Sequence, residues 1–338
     1  MKLFKHPENP ILKPNPANLW ESLCVLNPAV IYDDRTAEFV MLYRAAGDTD
    51  KHHIYLGLAK SKDGVHFERQ SDRPVFEPSY DGADGGCVED PRLTKMGDWF
   101  YMTYASRPYA PGRYWTNEPR PWFNPPVGGP KFLTGNLSLT HLAITQDFVH
   151  YKKLGRITDS RVDDRDVILF PEPINGKFVR LSRPMSWCGE GYPNANAATW
   201  IAYSDDLMEW SNPKLLMQGE TDWESKKIGG SCPPLKTEKG WLHLYHGVSK
   251  HDNAYRVGAV LLDLNNPEKI LARTKNFLME PEFEFETKGF YNGCVFPTGN
   301  VIQDNTLYVY YGAADKFVCL ASCDIHELLD YLTTQCAR

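Results

Sequence analysis

Two groups of ionisable residues, opposite in sign, stand at related positions in this 338-residue sequence. The acidic group is Glu89, Asp90, Glu172 and Asp315, any of which can act as a general acid or hold sugar hydroxyls through charge-assisted hydrogen bonds. The basic group is Arg165, Arg183, Lys227 and His246, from the strings DDRDV, LSRP, SKKIGG and LYHG. Arginine offers a two-pronged fork and lysine a point charge, so together they suit a small oxyanion, phosphate above all. Arg165 alone has a plainer reading, as a partner of the aspartates around it. Asn27, Arg44 and Arg92 stand at further equivalent positions. Charges in such number at the centre of a β-domain must be paired or bind something.

Their equivalence follows from a repeat. A proline placed just before a short apolar strand recurs as Pro28, Pro91, Pro171, Pro234 and Pro297, at intervals of 63, 80, 63 and 63 residues. Each is followed by an aromatic-rich string: FVMLYRA, WFYMTYA, FVRLSRP, WLHLYHG and LYVYYGA. Runs of β-branched and aromatic residues bounded by turn formers predict strands. A third string carries an aspartate, at Asp63, Asp147, Asp206, Asp263 and Asp324, and predicts a strand, a turn and a partner strand. The last copy reads as a helix. A period near 63 residues is about one four-stranded unit. The expected fold is therefore all-β, a five-bladed β-propeller with a short C-terminal helix, and a two-sheet β-sandwich is the alternative.

No Ser/Gly-rich or charge-rich linker interrupts the chain, which predicts one catalytic domain over 1–338. The single long interval falls at about 106–135, a proline-rich insertion carrying Tyr109, Tyr114, Trp115, Trp122 and Phe123. It reads as a sugar-binding lid or as a contact in a homo-oligomer. The net charge of -6 argues against nucleic acid or an anionic membrane as partner. The start, MKLFKHPENPILKP, lacks the apolar core of a signal peptide, so the expected compartment is the cytoplasm. Eight cysteines without metal-ligand spacing predict reduced thiols, no structural metal and no cofactor.

The strings EDPR at 89–92, RDVILFPEPINGKFVRLSRP at 165–184, KKIGGSCPPLKTEKGWLHLYHG at 226–247, and GCVFPTGN with YYGAAD at 293–315 resemble glycoside hydrolase family 130. That family comprises β-mannoside phosphorylases and β-1,2-mannosidases built as five-bladed propellers. The resemblance implies that Asp90 is the single catalytic acid, protonating the glycosidic oxygen through a hydroxyl of the mannosyl residue. It likewise implies that Arg165, Arg183, Lys227, His246 and Tyr255 hold inorganic phosphate as co-substrate. Asp315 binds the mannosyl unit in the same comparison, and Asn27, Arg44, Glu89 and Arg92 are expected beside the substrate. The implied reaction is inverting phosphorolysis of β-linked manno-oligosaccharides, β-1,2-mannosides in preference to β-1,4, giving α-mannose 1-phosphate.

Inverting hydrolysis needs a second carboxylate to activate water, whereas phosphate needs only positioning and charge neutralisation. The basic cluster favours phosphorolysis. Two departures favour the alternative, an inverting β-1,2-mannosidase. Asn27-Pro28 replaces the Asn-Ser of many phosphorylases, and Glu172 stands where some carry arginine, making Glu172 the candidate base, with Glu224 a weaker one. A non-catalytic carbohydrate-binding propeller is the reading from another class.

Overall fold

The computed structural model describes residues 1–80 and 82–338. Strands dominate, and they fall into five antiparallel four-stranded units. The first contains Cys24–Asp33, Glu38–Ala46, Ile54–Ser61 and Glu68–Arg69; the second contains Cys87–Met96, Trp99–Arg107, Leu139–Thr145 and Tyr151–Arg156. One parallel bridge, Ile54 to Cys87, joins these two. The third unit is Asp164–Leu169, Phe178–Pro184, Thr199–Ser204 and Ser211–Met217. In the fourth, two short segments, Lys227–Gly230 and Leu235–Thr237, share the first place and both pair with Gly240–Val248, which is followed by Tyr255–Leu262 and Ile270–Arg273. The fifth, Val295–Gln303, Thr306–Ala313 and Phe317–Asp324, takes its fourth strand, Phe4–Lys5, from the other end of the chain.

The five aspartates make the same turn each time. One carboxylate oxygen accepts the backbone N–H groups two and three residues on: Val65 and His66 for Asp63, Val149 and His150 for Asp147, Met208 and Glu209 for Asp206, Asn265 and Asn266 for Asp263. Asp324 does likewise with His326 and Glu327, but there it caps the helix Ile325–Gln335. Leu328, Leu329 and Leu332 of that helix are buried against the fourth and fifth units, each worth about 2 kcal/mol of apolar burial.

A second motif also repeats, and the sequence reading missed it. Near the end of the second strand a buried tyrosine donates its hydroxyl to a buried carboxylate, which also accepts from a basic side chain. The trios are Tyr43–Glu21–Arg69, Tyr104–Asp84–Lys153, Tyr245–Glu224–Arg273 and Tyr311–Glu286–Lys5, with donor–acceptor distances of 2.6–3.1 Å. The third unit has Ser182 in the tyrosine's place. These trios fix the strand just before the residue that enters the molecule's centre: Arg44 follows Tyr43 and His246 follows Tyr245. Glu224, a candidate base from the sequence, is thereby corrected to a structural role.

The first strands of three units break register near the centre, between Leu26 and Ala29, between Glu89 and Arg92, and between Arg165 and Ile168. Each break holds a residue with left-handed backbone: Asn27 at φ 44°, Asp90 at 52° and Asp166 at 58°. Asn and Asp tolerate that region better than other side chains with a Cβ, and a bulge re-aims the side chain it carries. Gly312 makes room for the first of them, since a Cβ there would stand 2.0 Å from Asn27 Oδ1.

Breaking a trio should be costly. Glu224→Gln, which leaves the buried Arg273 guanidinium with the half-exposed Glu220 as its carboxylate partner, is expected to lower the unfolding free energy by about 2 kcal/mol in urea titration; a loss under about 0.5 kcal/mol would mean that the trio adds little.

Candidate active site

The three bulged residues face one cavity of about 400 Å³, lined by side chains from all five units. Asn27, Arg44, Glu89, Asp90, Arg165, Arg183, Lys227, His246, Tyr255 and Asp315, ten residues expected from the sequence, line it.

Carboxylates gather on one side. Asp90 accepts from Asn27 Nδ2 at 2.7 Å and Arg44 Nη1 at 2.9 Å, and the same Nη1 lies 2.9 Å from Glu89 Oε2. Burial opposes the charge on Asp90, but Arg44, Arg92 and the Asn27 hydrogen bond outweigh it and hold the carboxyl below its usual range. Asp315 stands near the same arginine and has no ion pair among the described residues. Burial pushes it up to about 6, with Asp90 and Glu89 adding to the rise against Arg44. Two carboxyls facing one cavity are thus driven apart, one ionised and one able to hold a proton near neutrality.

Arg165, Arg183 and Lys227 line the same cavity. Arg165 is held in a two-point pair by Asp163, at 2.9 and 3.1 Å, so its plain reading and its cavity position both hold. Arg183 is held by Asp166 through Nε at 2.8 Å and Nη2 at 2.5 Å. Lys227 has no carboxylate within ion-pair distance among the described residues; its ammonium donates to Tyr255 Oη at 2.7 Å. Burial, with Arg183 and Arg165 nearby and Asp166 opposing, pushes Lys227 down to about 7. The His246 ring stacks on Tyr255 with centroids 5.2 Å apart, and burial pushes its pKa down to about 3, so the imidazole is neutral.

Two expected site residues lie elsewhere. Glu172 is outside the cavity: its side chain is 46% exposed and pairs with Lys236 at 2.6 Å. The proline rhythm misled here, because Pro171 follows the strand Asp164–Leu169, whereas the bulge that matches Asn27 and Asp90 holds Asp166. Asp166 is the residue that the sequence reading passed over, although it adjoins Arg165 in the same DDRDV string. Arg92 is buried behind the cavity wall, donating to the carbonyls of Asp90 at 2.6 Å and Ser231 at 2.9 Å. It supports Asp90 from behind.

The insertion forms part of the rim. Pro111, Tyr114, Arg120 and Asn136 line the cavity. The segment is pinned to the first unit by Gly112 N donating to Lys51 O at 2.8 Å and by Arg113 pairing with Asp48 at 2.9 Å. Trp115 packs on His52 and on Phe290, with ring centroids 4.8 and 4.9 Å apart. Tyr109 and Phe123 meet edge to face within the segment, and Trp122 donates to Ala110 O, so those aromatics build the insertion itself.

A carboxyl group opposite a cluster of cations, in a cavity of sugar size, suits acid-assisted transfer to an anionic nucleophile. Comparison with known proteins agrees in kind. A family model described as β-1,4-mannooligosaccharide phosphorylase matches residues 2–124 and 134–334. A 1,2-β-oligomannan phosphorylase of Thermoanaerobacter sp. (strain X514) is 35% identical over 335 residues, covering 97% of this chain and 99% of the relative. A β-1,2-mannobiose phosphorylase from the same strain is 36% identical over 332 residues, covering 95% and 96%. The structure of the β-1,2-mannobiose phosphorylase of Listeria innocua, in complex with β-1,2-mannobiose, superposes with a TM-score of 0.79 at 26% identity, covering 99% of this chain and 100% of the other. The extent of these matches, together with the cavity, establishes that the chain is an enzyme belonging to glycoside hydrolase family 130.

Proposed function

We propose that the five units close into a five-bladed β-propeller, one catalytic domain over 1–338, which phosphorolyses β-1,2-mannosides with inversion to give α-mannose 1-phosphate. Support for closure comes from contacts between the first and last units: Thr298 Oγ1 donates to Pro28 O at 2.9 Å and Val25 N to Lys316 O at 3.2 Å. Support for the β-1,2 linkage comes from what the two Thermoanaerobacter relatives and the Listeria protein are named for.

The observation that carries phosphorolysis is Lys227. An enclosed ammonium whose hydrogen-bond partner among the described residues is a phenol is poised for an anion. Phosphate would be held by Arg165, Arg183, Lys227, His246 and Tyr255, and would attack the anomeric carbon from that side. Asn27, Arg44, Glu89 and Asp315 would hold the mannosyl unit. Asp90 would supply the proton to the leaving oxygen through a mannosyl hydroxyl. Arg44 and Arg92 outweigh burial and favour its charged form. A phosphate dianion arriving opposite adds negative charge to the cavity, which raises the carboxyl's proton affinity when a proton is needed. Hydrolysis has less support, since neither Glu172 nor Glu224 reaches the cavity.

Incubation with β-1,2-mannobiose is expected to release mannose 1-phosphate only when phosphate is present. Free mannose at an equal rate without phosphate would make the enzyme a mannosidase. Asp90→Asn should lower turnover by at least about 100-fold while calorimetry still detects mannobiose. Unchanged turnover would remove Asp90 from the chemistry.

Lys227 also predicts a pH dependence. Its charged form binds anions and is lost as pH rises through about 7. Sulfate stays dianionic throughout, so its affinity by calorimetry should fall about tenfold between about pH 6 and about pH 8.5. Lys227→Arg, charged over that whole range, should flatten the profile. A pH-independent affinity in the unmodified protein would show that Lys227 does not face the anion.

A further inference from the structure

Arg183, Arg92 and His246 converge on one carboxylate, Asp166. Asp166 Oδ2 accepts both Nε and Nη2 of Arg183 and lies 3.7 Å from His246 Nε2, while Oδ1 lies 3.5 Å from Arg92 Nη2. Arg92 in turn donates to the backbone carbonyl of Asp90 at 2.6 Å. A continuous line of contacts therefore runs from Asp90 through Arg92 and Asp166 to Arg183 and His246.

Two features fix Asp166 in place. Its left-handed backbone, φ 58°, lies in the bulge between Arg165 and Ile168. Across from it, Gly229 leaves the space that the carboxylate occupies: a Cβ there would stand 2.6 Å from Asp166 Oδ2 and 2.7 Å from His246 Cε1. Asp163 holds Arg165 in a similar two-point pair, but among the described residues it is paired with Arg165 alone.

A carboxylate beside an anion site repels the anion. Its presence there is explained if orientation matters more than charge. A guanidinium held along one edge turns its remaining N–H groups in one direction, and a bidentate grip on an oxyanion depends on that plane.

We propose that Asp166 is the positioning residue of this enzyme, holding Arg183 in register with the cavity and, through Arg92, tying that orientation to the backbone of Asp90. The anion and the acid then keep a fixed separation, as in-line attack requires. This inference rests on the phosphorolysis reading above.

The test compares unmodified protein with Asp166→Asn, which keeps the size of the side chain but removes its charge and turns a donor toward Arg92. The expected kcat for β-1,2-mannobiose phosphorolysis is about 100-fold lower. The sulfate dissociation constant by calorimetry should stay within about threefold, because the lost carboxylate also repelled the anion. KM for mannobiose should not change. Gly229→Ala, which crowds Asp166 and His246 without altering charge, should give the same split with a kcat loss of about tenfold, and it carries the test alone if Asp166→Asn does not fold. A kcat within about threefold of the unmodified enzyme overturns the inference. So does loss of sulfate and mannobiose binding in step with kcat, which marks a purely structural role. Unmodified protein without phosphate-dependent turnover overturns the phosphorolysis reading and this inference with it, whereas a failure confined to the variants overturns the inference alone.

Discussion

Ionised groups are not buried singly in proteins, and that constraint orders this molecule from its periphery to its centre. Away from the cavity, the Tyr–carboxylate–base trios are satisfied within the protein; Glu224, for example, accepts from Tyr245, Arg273 and the backbone of Glu220. At the cavity the compensation thins out. Arg44 is shared between two carboxylates, Arg165 and Arg183 each lean on one, and Lys227 has, among the described residues, a phenol. Cations that are only partly compensated, gathered around one cavity, are what separate a binding site from a buried ionic network.

The two networks are joined through the backbone. A trio grips a strand at its tyrosine, and the next residue along points to the cavity, as with Tyr43 and Arg44 or Tyr245 and His246. Structural polar groups thus set the height at which functional ones enter. The third unit, which carries Ser182 instead of tyrosine, supplies Arg183, and there Asp166 takes hold of the guanidinium directly.

Much of this was legible in the sequence because the residues concerned have positional meaning. The aspartate turns, the aromatic strands, the terminal helix and the entry points of Arg44, Arg183 and His246 all follow from residue type repeated in phase. The third unit was read wrongly for a physical reason. Pro171 keeps its 63-residue distance to Pro234, but it stands after the strand's end, so the proline rhythm and the bulge rhythm part company. Glu172 was drawn toward the centre on paper and Asp166 left out. Arg92 failed differently, because the bulge at Asp90 and Pro91 turns the following side chain behind the wall. The trios join residues up to 281 positions apart, as in Lys5 and Glu286, and no local pattern announces such a pairing.

The strand Phe4–Lys5 has a consequence for how the chain reaches its native state. It pairs with Ala321 and Ser322, and Lys5 completes the trio around Glu286. Four units can assemble from neighbouring segments as they emerge during synthesis, but the fifth must wait for two segments more than 300 residues apart to meet. Until then its outer edge is an open row of backbone donors and acceptors, available to any other strand. Such long-range pairing is slow to form. The final step of folding is therefore the one most exposed to pairing between two copies of the chain, and a population trapped there would consist of exchanged dimers in which each Phe4–Lys5 strand sits on the other molecule.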